Sequence, residues 1–198
     1  IPRYDKIGFK KFYRERPKKT IVGLVKIGER LCVIDKKYPP FLLDDTAYQD
    51  KTAQDFFWRH RYAVHDAKEI IRFLHERRIE LGKVSFDTLL GAYLTDSSQK
   101  DFSWGAVASR ELGRPMRAES PDDLKHFFEI VLLMKEKLHA IGAEKIFYTI
   151  ELPLARTVAR MEAMGILLDC GFLRLMSKEL EQKLNVLTKK IHQLAGEA

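Results

Sequence analysis

Hydrophobic positions follow two rhythms along this chain, and the change between them divides it. In the first half, short β-branched runs alternate with helical patterns. Thr20–Ile27 (TIVGLVKI) and Leu31–Ile34 (LCVI), separated by Gly28-Glu29-Arg30, read as two strands of a hairpin. Ile7–Tyr13 mixes apolar and basic residues and reads as a strand before them, with Pro17-Lys18-Lys19 as a turn. These three strands predict an antiparallel meander. Tyr38-Pro39-Pro40 then interrupts the pattern. Thr52 to Asp55 has the form of a capping box and predicts a short helix through Trp58. Tyr62–His65 reads as a strand. Asp66 caps a helix whose Ile70, Ile71, Phe73 and Leu74 share a broad face, with Glu69 three residues after the cap. Gly82 closes that segment, Lys83–Phe86 forms another strand, and Asp87–Leu94 is a helical run. Strands separated by helices imply parallel pairing through right-handed crossovers.

Ser103–Leu112 reads as a helix ended by Gly113 and Pro115. Ser120-Pro121-Asp122-Asp123 is a start signal, with a cap, a proline at the first position and acids at the positive end of the helix dipole. It predicts one helix running towards His139 and ending near Gly142. From Glu151 onward no strand signal remains. Leu154, Val158 and Met161 line a helix ending at Gly165, and Ile166–Leu168 is an extended link to a cap at Asp169. Leu173, Met176, Leu180, Leu184, Leu187, Ile191 and Leu194 then recur at three- and four-residue steps. They form one apolar seam that calls for a partner helix, and the 151–164 helix is the nearest candidate.

This order predicts an α/β fold: a ribonuclease-H-like mixed sheet, three antiparallel strands then parallel ones, with flanking helices. An all-α helical hairpin follows. A dinucleotide-binding Rossmann start is excluded, because only Gly23 and Gly28 lie near the first strands.

Composition narrows the classes. The 198 residues are 45% hydrophobic and 32% charged, which argues against both a disordered and a membrane-embedded chain. No apolar run approaches the ~20 residues a membrane helix needs, and the first residues lack the apolar core of a signal peptide. Cys32 and Cys170, far apart and without metal-ligand spacing, read as reduced core thiols in a cytoplasmic setting. The formal charge of +7 is concentrated in the first 20 residues. They carry Arg3, Lys6, Lys10, Lys11, Arg14, Arg16, Lys18 and Lys19 against Asp5 and Glu15. Such an arm suits nucleic acid or an acidic surface; it equally suits a solvated edge strand guarded by lysines.

Several segments resemble a known family. The run Glu151–Asp169 (ELPLARTVARMEAMGILLD), continued by Leu175–Leu180 (LMSKEL) and Ile191–Glu197 (IHQLAGE), is similar to the opening of the thumb in family A DNA polymerases of the bacterial polymerase I type. Phe86–Leu94 (FDTLLGAYL) resembles the strand-to-helix step of that family's 3′–5′ exonuclease domain. Val64–Lys68 (VHDAK) resembles the segment carrying its second metal-binding motif. The resemblance implies an exonuclease-like domain over residues 1–145 and an incomplete thumb over 146–198. It implies DNA as a partner through a parent polymerase, packing against polymerase domains absent from these 198 residues, and a nucleoid-associated bacterial protein. The family's palm aspartates, which hold two Mg²⁺, come later in its chain, so this chain by itself is not expected to polymerise or to bind a cofactor.

The same resemblance exposes departures. Two-metal phosphodiester cleavage needs carboxylates around ions about 3.5–4 Å apart. The family's first motif is an Asp-x-Glu pair on the first strand; Ile7–Tyr13, matched to it, offers Lys10 and Lys11 instead. Asp66 matches the second motif, yet with Glu69 it also makes a helix cap without any metal. The third motif, Tyr-x-x-x-Asp, falls on Lys125–Met134, where Glu129 is the only carboxylate. The expectation is therefore an exonuclease-like scaffold with no catalytic and no metal-binding residue, Asp66 being the single surviving match. Lys10, Lys11, Lys189 and Lys190 are the candidate contacts to a DNA backbone. An active exonuclease and a free-standing interaction module of the same fold are the rival readings.

The remaining candidates read as structural. His60, His65, His75, His126, His139 and His192 show no metal-ligand partnering, and Arg77-Arg78 reads as a solvated helix face. Phe56-Phe57-Trp58 and Phe127-Phe128 could stack bases but at helical spacing read as core.

Overall fold

The computed structural model describes residues 1–15 and 21–196. The Pro17-Lys18-Lys19 turn and Thr20 lie outside the described residues. Contacts divide the chain into two compact units, Ile1–Ala163 and Met164–Ala198.

The first unit is built on a six-stranded mixed sheet. Its strands are β1 (Arg3–Tyr4), β2 (Ile21–Ile27), β3 (Arg30–Ile34), β4 (Phe41–Leu43), β5 (Arg61–His65) and β6 (Lys83–Asp87). Their spatial order is β1-β4-β3-β2-β5-β6. The neighbours β2, β3 and β4 pair antiparallel, and β2, β5 and β6 pair parallel. The mixed sheet expected from the sequence is therefore present, but its first meander strand is β2.

Ile7–Tyr13 is not a strand. It lies inside helix α1 (Lys6–Glu15). The Asp5 carboxylate accepts the backbone N–H groups of Ile7 at 3.1 Å and Gly8 at 2.9 Å, which supplies the missing helix start. Phe9 and Phe12, three residues apart, turn inward together and pack on Phe56 and Phe41. The three-residue step of the aromatics, rather than alternation, is the deciding signal. The third antiparallel strand is instead β4, directly after the Pro39-Pro40 break.

The other helices of this unit are α2 (Lys51–Arg59), α3 (Ala67–Glu76), α4 (Thr88–Thr95), α5 (Trp104–Leu112), α6 (Pro121–Leu124), α7 (Phe127–Ala140), α8 (Glu144–Ile146) and α9 (Leu152–Met164). A 3-10 turn covers Asp45–Gln49, and a π-type turn, Phe147–Glu151, joins α8 to α9. Two expected helix starts move. Asp50, not Thr52, caps α2 and accepts the Thr52 N–H at 2.8 Å. The helix opened by Ser120 stops after one turn, and α7 begins separately at Phe127.

Alternation within the strands splits the core into two layers. Val22, Leu24, Tyr62 and Val64 face α1, α2 and α3, with Phe56, Phe57 and Phe73 filling the space. Val25, Cys32, Ile34, Ala63 and Phe86 face the other way, against Trp104, Phe127, Ile130 and Met134. Gly23 lies in this second layer because a Cβ there would stand 2.9 Å from the Phe127 ring. Phe56, Phe57 and Phe127 are thus core, as their spacing suggests, while Trp58 is exposed. Of α9, the buried positions are Ala155 and Ala159; Leu154 and Met161, expected on its inner face, are exposed.

The second unit is dominated by one helix, α10 (Cys170–Ala195), of 26 residues. Asp169 caps it, as the sequence indicates, by accepting the Phe172 N–H at 2.9 Å. Cys32 is buried, but Cys170 stands exposed at the start of α10 and is not a core thiol. Among the described residues no helix is long and apolar enough to cross a membrane.

Candidate functional site at the strand ends

In mixed sheets of this kind, ligands approach the carboxyl ends of the parallel strands. Here the ends of β2 and β5 open into a shallow groove of about 780 Å³. Lys26, Glu29, His65, Asp66, Glu69, Trp104 and Glu119 line it.

Asp66 sits where β5 turns into α3. Its backbone φ of 63° is left-handed, a conformation Asp tolerates better than most residues. Its carboxylate accepts the Glu69 N–H at 3.0 Å. Only half of the expected capping box forms, however. The Asp66 N–H is not returned to Glu69; it donates to the Asp87 carboxylate at 3.1 Å. Asp87, at the end of β6, also accepts the N–H groups of Ala67 at 2.7 Å and Leu89 at 2.9 Å. It is buried, and burial raises its pKa to about 6 despite these amide donors. One carboxylate thereby fastens the starts of both α3 and α4.

Glu69, released from the capping role, pairs with Lys26 at 3.0 Å and with Arg72 at 2.5 Å. Burial works to raise its carboxyl, and the two cations outweigh it, holding it below the usual range. Lys26 comes from β2, the strand that lies between antiparallel β3 and parallel β5. A lysine ammonium therefore occupies the groove beside the acids. His65 is buried behind it. Its Nδ1 stands 2.9 Å from the Thr88 hydroxyl and its ring lies edge-on to Trp104. Desolvation lowers its pKa to about 4, so it is neutral at physiological pH. The Trp104 indole N–H, buried at the same place, has no hydrogen-bond partner among the described residues.

The other sequence candidates lie elsewhere. Lys10 and Lys11 are on α1, and Lys10 pairs with Asp50 at 2.8 Å. Because residues 7–13 are helical, these lysines do not replace acids on a first strand; Lys26 on β2 stands in the groove instead. Glu129, on α7, meets His126 at 2.7 Å. His139 pairs with Glu144 at 2.8 Å. Arg77 is no free surface cation, since its guanidinium stacks 3.6 Å from the Phe73 ring centroid. Lys189 and Lys190 are exposed on α10. Among the described residues, no three His, Cys, Asp or Glu side chains come together in a way that could hold a metal ion. Sequence reasoning missed Lys26 and the bridging role of Asp87. The first is a single polar residue near the end of an apolar strand, and the second is visible only as the start of a helical run.

Comparison with known proteins gives this geometry a family. The model described as "DNA polymerase I, ribonuclease H-like domain" matches residues 30–117. A DNA polymerase I of Lactococcus lactis subsp. lactis is 32% identical over 154 residues, covering 68% of this chain and 18% of that protein. The chain thus spans about a fifth of the length of such relatives. In three dimensions it is similar to the POL domain of Pol1 from M. smegmatis, solved with DNA primer-template and dNTP. That match has a TM-score of 0.75 at 21% identity and covers 100% of this chain and 38% of that one. It is also similar to Brucella melitensis NrnC with bound Mg²⁺, at a TM-score of 0.58 and 11% identity over 73% of this chain and 86% of that one. The sequence matches show that the chain belongs to the bacterial, family A DNA polymerase I family, of which it carries the ribonuclease H-like domain.

Proposed function

We propose that this chain is a non-catalytic, exonuclease-like scaffold of a DNA polymerase, with its last helices opening the thumb. The observation that carries this reading is the Lys26–Glu69 pair in the groove at the strand ends. Two Mg²⁺ ions need several free carboxylate oxygens. Of the four carboxylates that line the groove, Glu29, Asp66, Glu69 and Glu119, Asp66 is engaged as a cap, Glu69 is neutralised by two cations and Glu29 stands 3.7 Å from the Lys26 ammonium; both oxygens of the buried Asp87, outside that lining, take backbone N–H groups. This donor set does not suit a pair of divalent ions.

The role of such a domain is mechanical. It presents a rigid sheet against which polymerase domains can pack, and basic residues for sequence-blind contact with a DNA backbone. Lys10, Lys11, Lys189 and Lys190 are the proposed contacts. Contacts of this kind weaken as salt rises, because each releases counterions.

The rival reading, an active 3′–5′ exonuclease, draws on the four carboxylates that line the groove, Glu29, Asp66, Glu69 and Glu119. One assay separates the two. The chain is incubated with 3′-labelled single-stranded DNA and Mg²⁺ or Mn²⁺. No trimming beyond the buffer control is the expected result. Metal-dependent trimming that disappears in Asp66→Ala overturns the proposal.

A further inference from the structure

A second cavity, of about 350 Å³, lies between α7, the start of β2 and the segment after β3. It is separate from the groove at the other end of β2 and shares no lining residue with it. Its volume falls within the ordinary range of small-ligand sites. The floor is apolar and aromatic, with Phe86 and Val131 buried and Phe128 and Tyr38 half-buried. Lys36, Lys37 and Lys135 stand around it against one acid, Asp35.

The lysines are arranged over the rings. The Lys36 ammonium lies 5.5 Å from the Phe128 ring centroid, and that of Lys135 lies 5.6 Å from the Phe86 ring centroid. Lys37 lies 5.8 Å from that of Tyr38. Among the described residues none of the three has a carboxylate partner within ion-pair distance. Three cations held over aromatic faces, beside an apolar slot, form a site for a ligand with a flat ring and an anionic group. An aliphatic acid would use the charge but not the ring faces, and a neutral base would use the rings but not the charge.

We propose that this cavity binds a nucleoside monophosphate unit, with the base against Phe128 and Tyr38 and the phosphate among Lys36, Lys37 and Lys135. The unit has two sources, a free mononucleotide and one residue of a single strand, and both carry the same chemistry. Base–aromatic stacking tolerates any base, so recognition there is sequence-blind. The inference does not depend on whether the strand-end groove is catalytic.

The test is a titration of the ¹⁵N-labelled 198-residue chain, followed by amide chemical shifts. Three probes are used: dTMP, a thymidine tetranucleotide, and unphosphorylated thymidine. The expected result is a shift of the Lys36, Ser85, Leu132 and Lys135 amides with dTMP, the tetranucleotide or both, and at least tenfold weaker binding of thymidine. The double variant Lys36→Ala/Lys135→Ala, a change of two surface side chains, should lose at least tenfold in affinity. Lys26→Ala, in the other groove, should leave binding at the cavity unchanged. Three results overturn the proposal: shifts confined to Lys26–Glu29 and Ser103–Gly105, thymidine binding as tightly as dTMP, or an unaltered affinity in the double variant. The ratio of the dTMP and tetranucleotide affinities then distinguishes the source.

Discussion

The Asp87 carboxylate receives the backbone N–H of Asp66 at 3.1 Å, so the cap of one helix is anchored by the cap of the next. A resemblance to metal-binding motifs draws attention to Asp66 as a ligand. The geometry explains both residues without a metal: two helices start side by side at the ends of parallel strands, and their orphan N–H groups need acceptors.

The left-handed backbone at Asp66 gives a test of that structural role. Asp66→Ala removes the acceptor for the Glu69 N–H and leaves a Cβ at φ 63°. Loss of about 1–3 kcal/mol is expected in urea unfolding. Asp66→Gly loses the same acceptor but relieves the backbone, so it should be the milder of the two. A glycine variant less stable than the alanine variant would contradict this.

Asp87→Asn keeps the shape but turns one carboxylate oxygen into an NH₂ group that faces a backbone N–H. Destabilisation of about 1–3 kcal/mol follows from the unmet donors. Circular-dichroism melts, with hydrogen exchange at Ala67 and Leu89, would report it, and both amides should lose protection.

His65 and Asp87 set opposing pH slopes. The His65 pKa falls to about 4 on folding, by desolvation. Its contribution is complete above the unfolded value of 6.5 and is lost as pH falls towards 4. The Asp87 pKa rises to about 6, again by burial. Its contribution is complete below 3.8 and is lost as pH rises through 6. Each is on the order of 3 kcal/mol, at about 1.36 kcal/mol per pH unit. Within about pH 4–6 they nearly cancel in the parent chain. Asp87→Asn should therefore show stability rising with pH across this window, and His65→Phe stability falling. Parallel stability–pH curves for both variants would refute the assignment.

Gly82 precedes β6 under the end of α2, and its N–H donates to the Phe57 carbonyl at 2.6 Å. A Cβ there would meet the Trp58 carbonyl oxygen well inside van der Waals contact. Gly82→Ala should cost about 1–3 kcal/mol or more, because backbone rather than a flexible side chain must move. An unchanged unfolding midpoint would rule out the close approach.

Arg156 reaches from α9 to the carbonyls of Leu81 at 2.6 Å and Gly82 at 2.7 Å. Together with the Lys68–Glu162 pair at 2.9 Å, it fastens α9 to the sheet domain. Arg156→Ala should lower stability by about 1.5–3 kcal/mol, and Arg156→Lys should recover only part of this, because a single ammonium cannot take the place of Nη2 on the two carbonyls and of Nη1 facing the Glu80 carboxylate at 3.5 Å. Hydrogen exchange in residues 79–83 would read the loosening directly.

Local chemistry is legible in the amino-acid sequence by itself. The caps at Asp66, Ser103 and Asp169 and the glycine stop at Gly113 follow from short-range hydrogen bonding, which adjacent residues decide among themselves. So does the mixed sheet, because β-branched runs separated by helices admit few topologies, and the spaced residues of the 151–197 segment point to the family. Tertiary structure decides the rest. Residues 7–13 are helical because Phe9 and Phe12 meet Phe56 and Phe41, far along the chain. Lys26 becomes a groove residue only when β2 takes its place beside β5, bringing its ammonium to Glu69. Sequence spacing records which residues can cap or pack with near neighbours. Which charges face each other across a sheet depends on strand order, and that is set by the core as a whole.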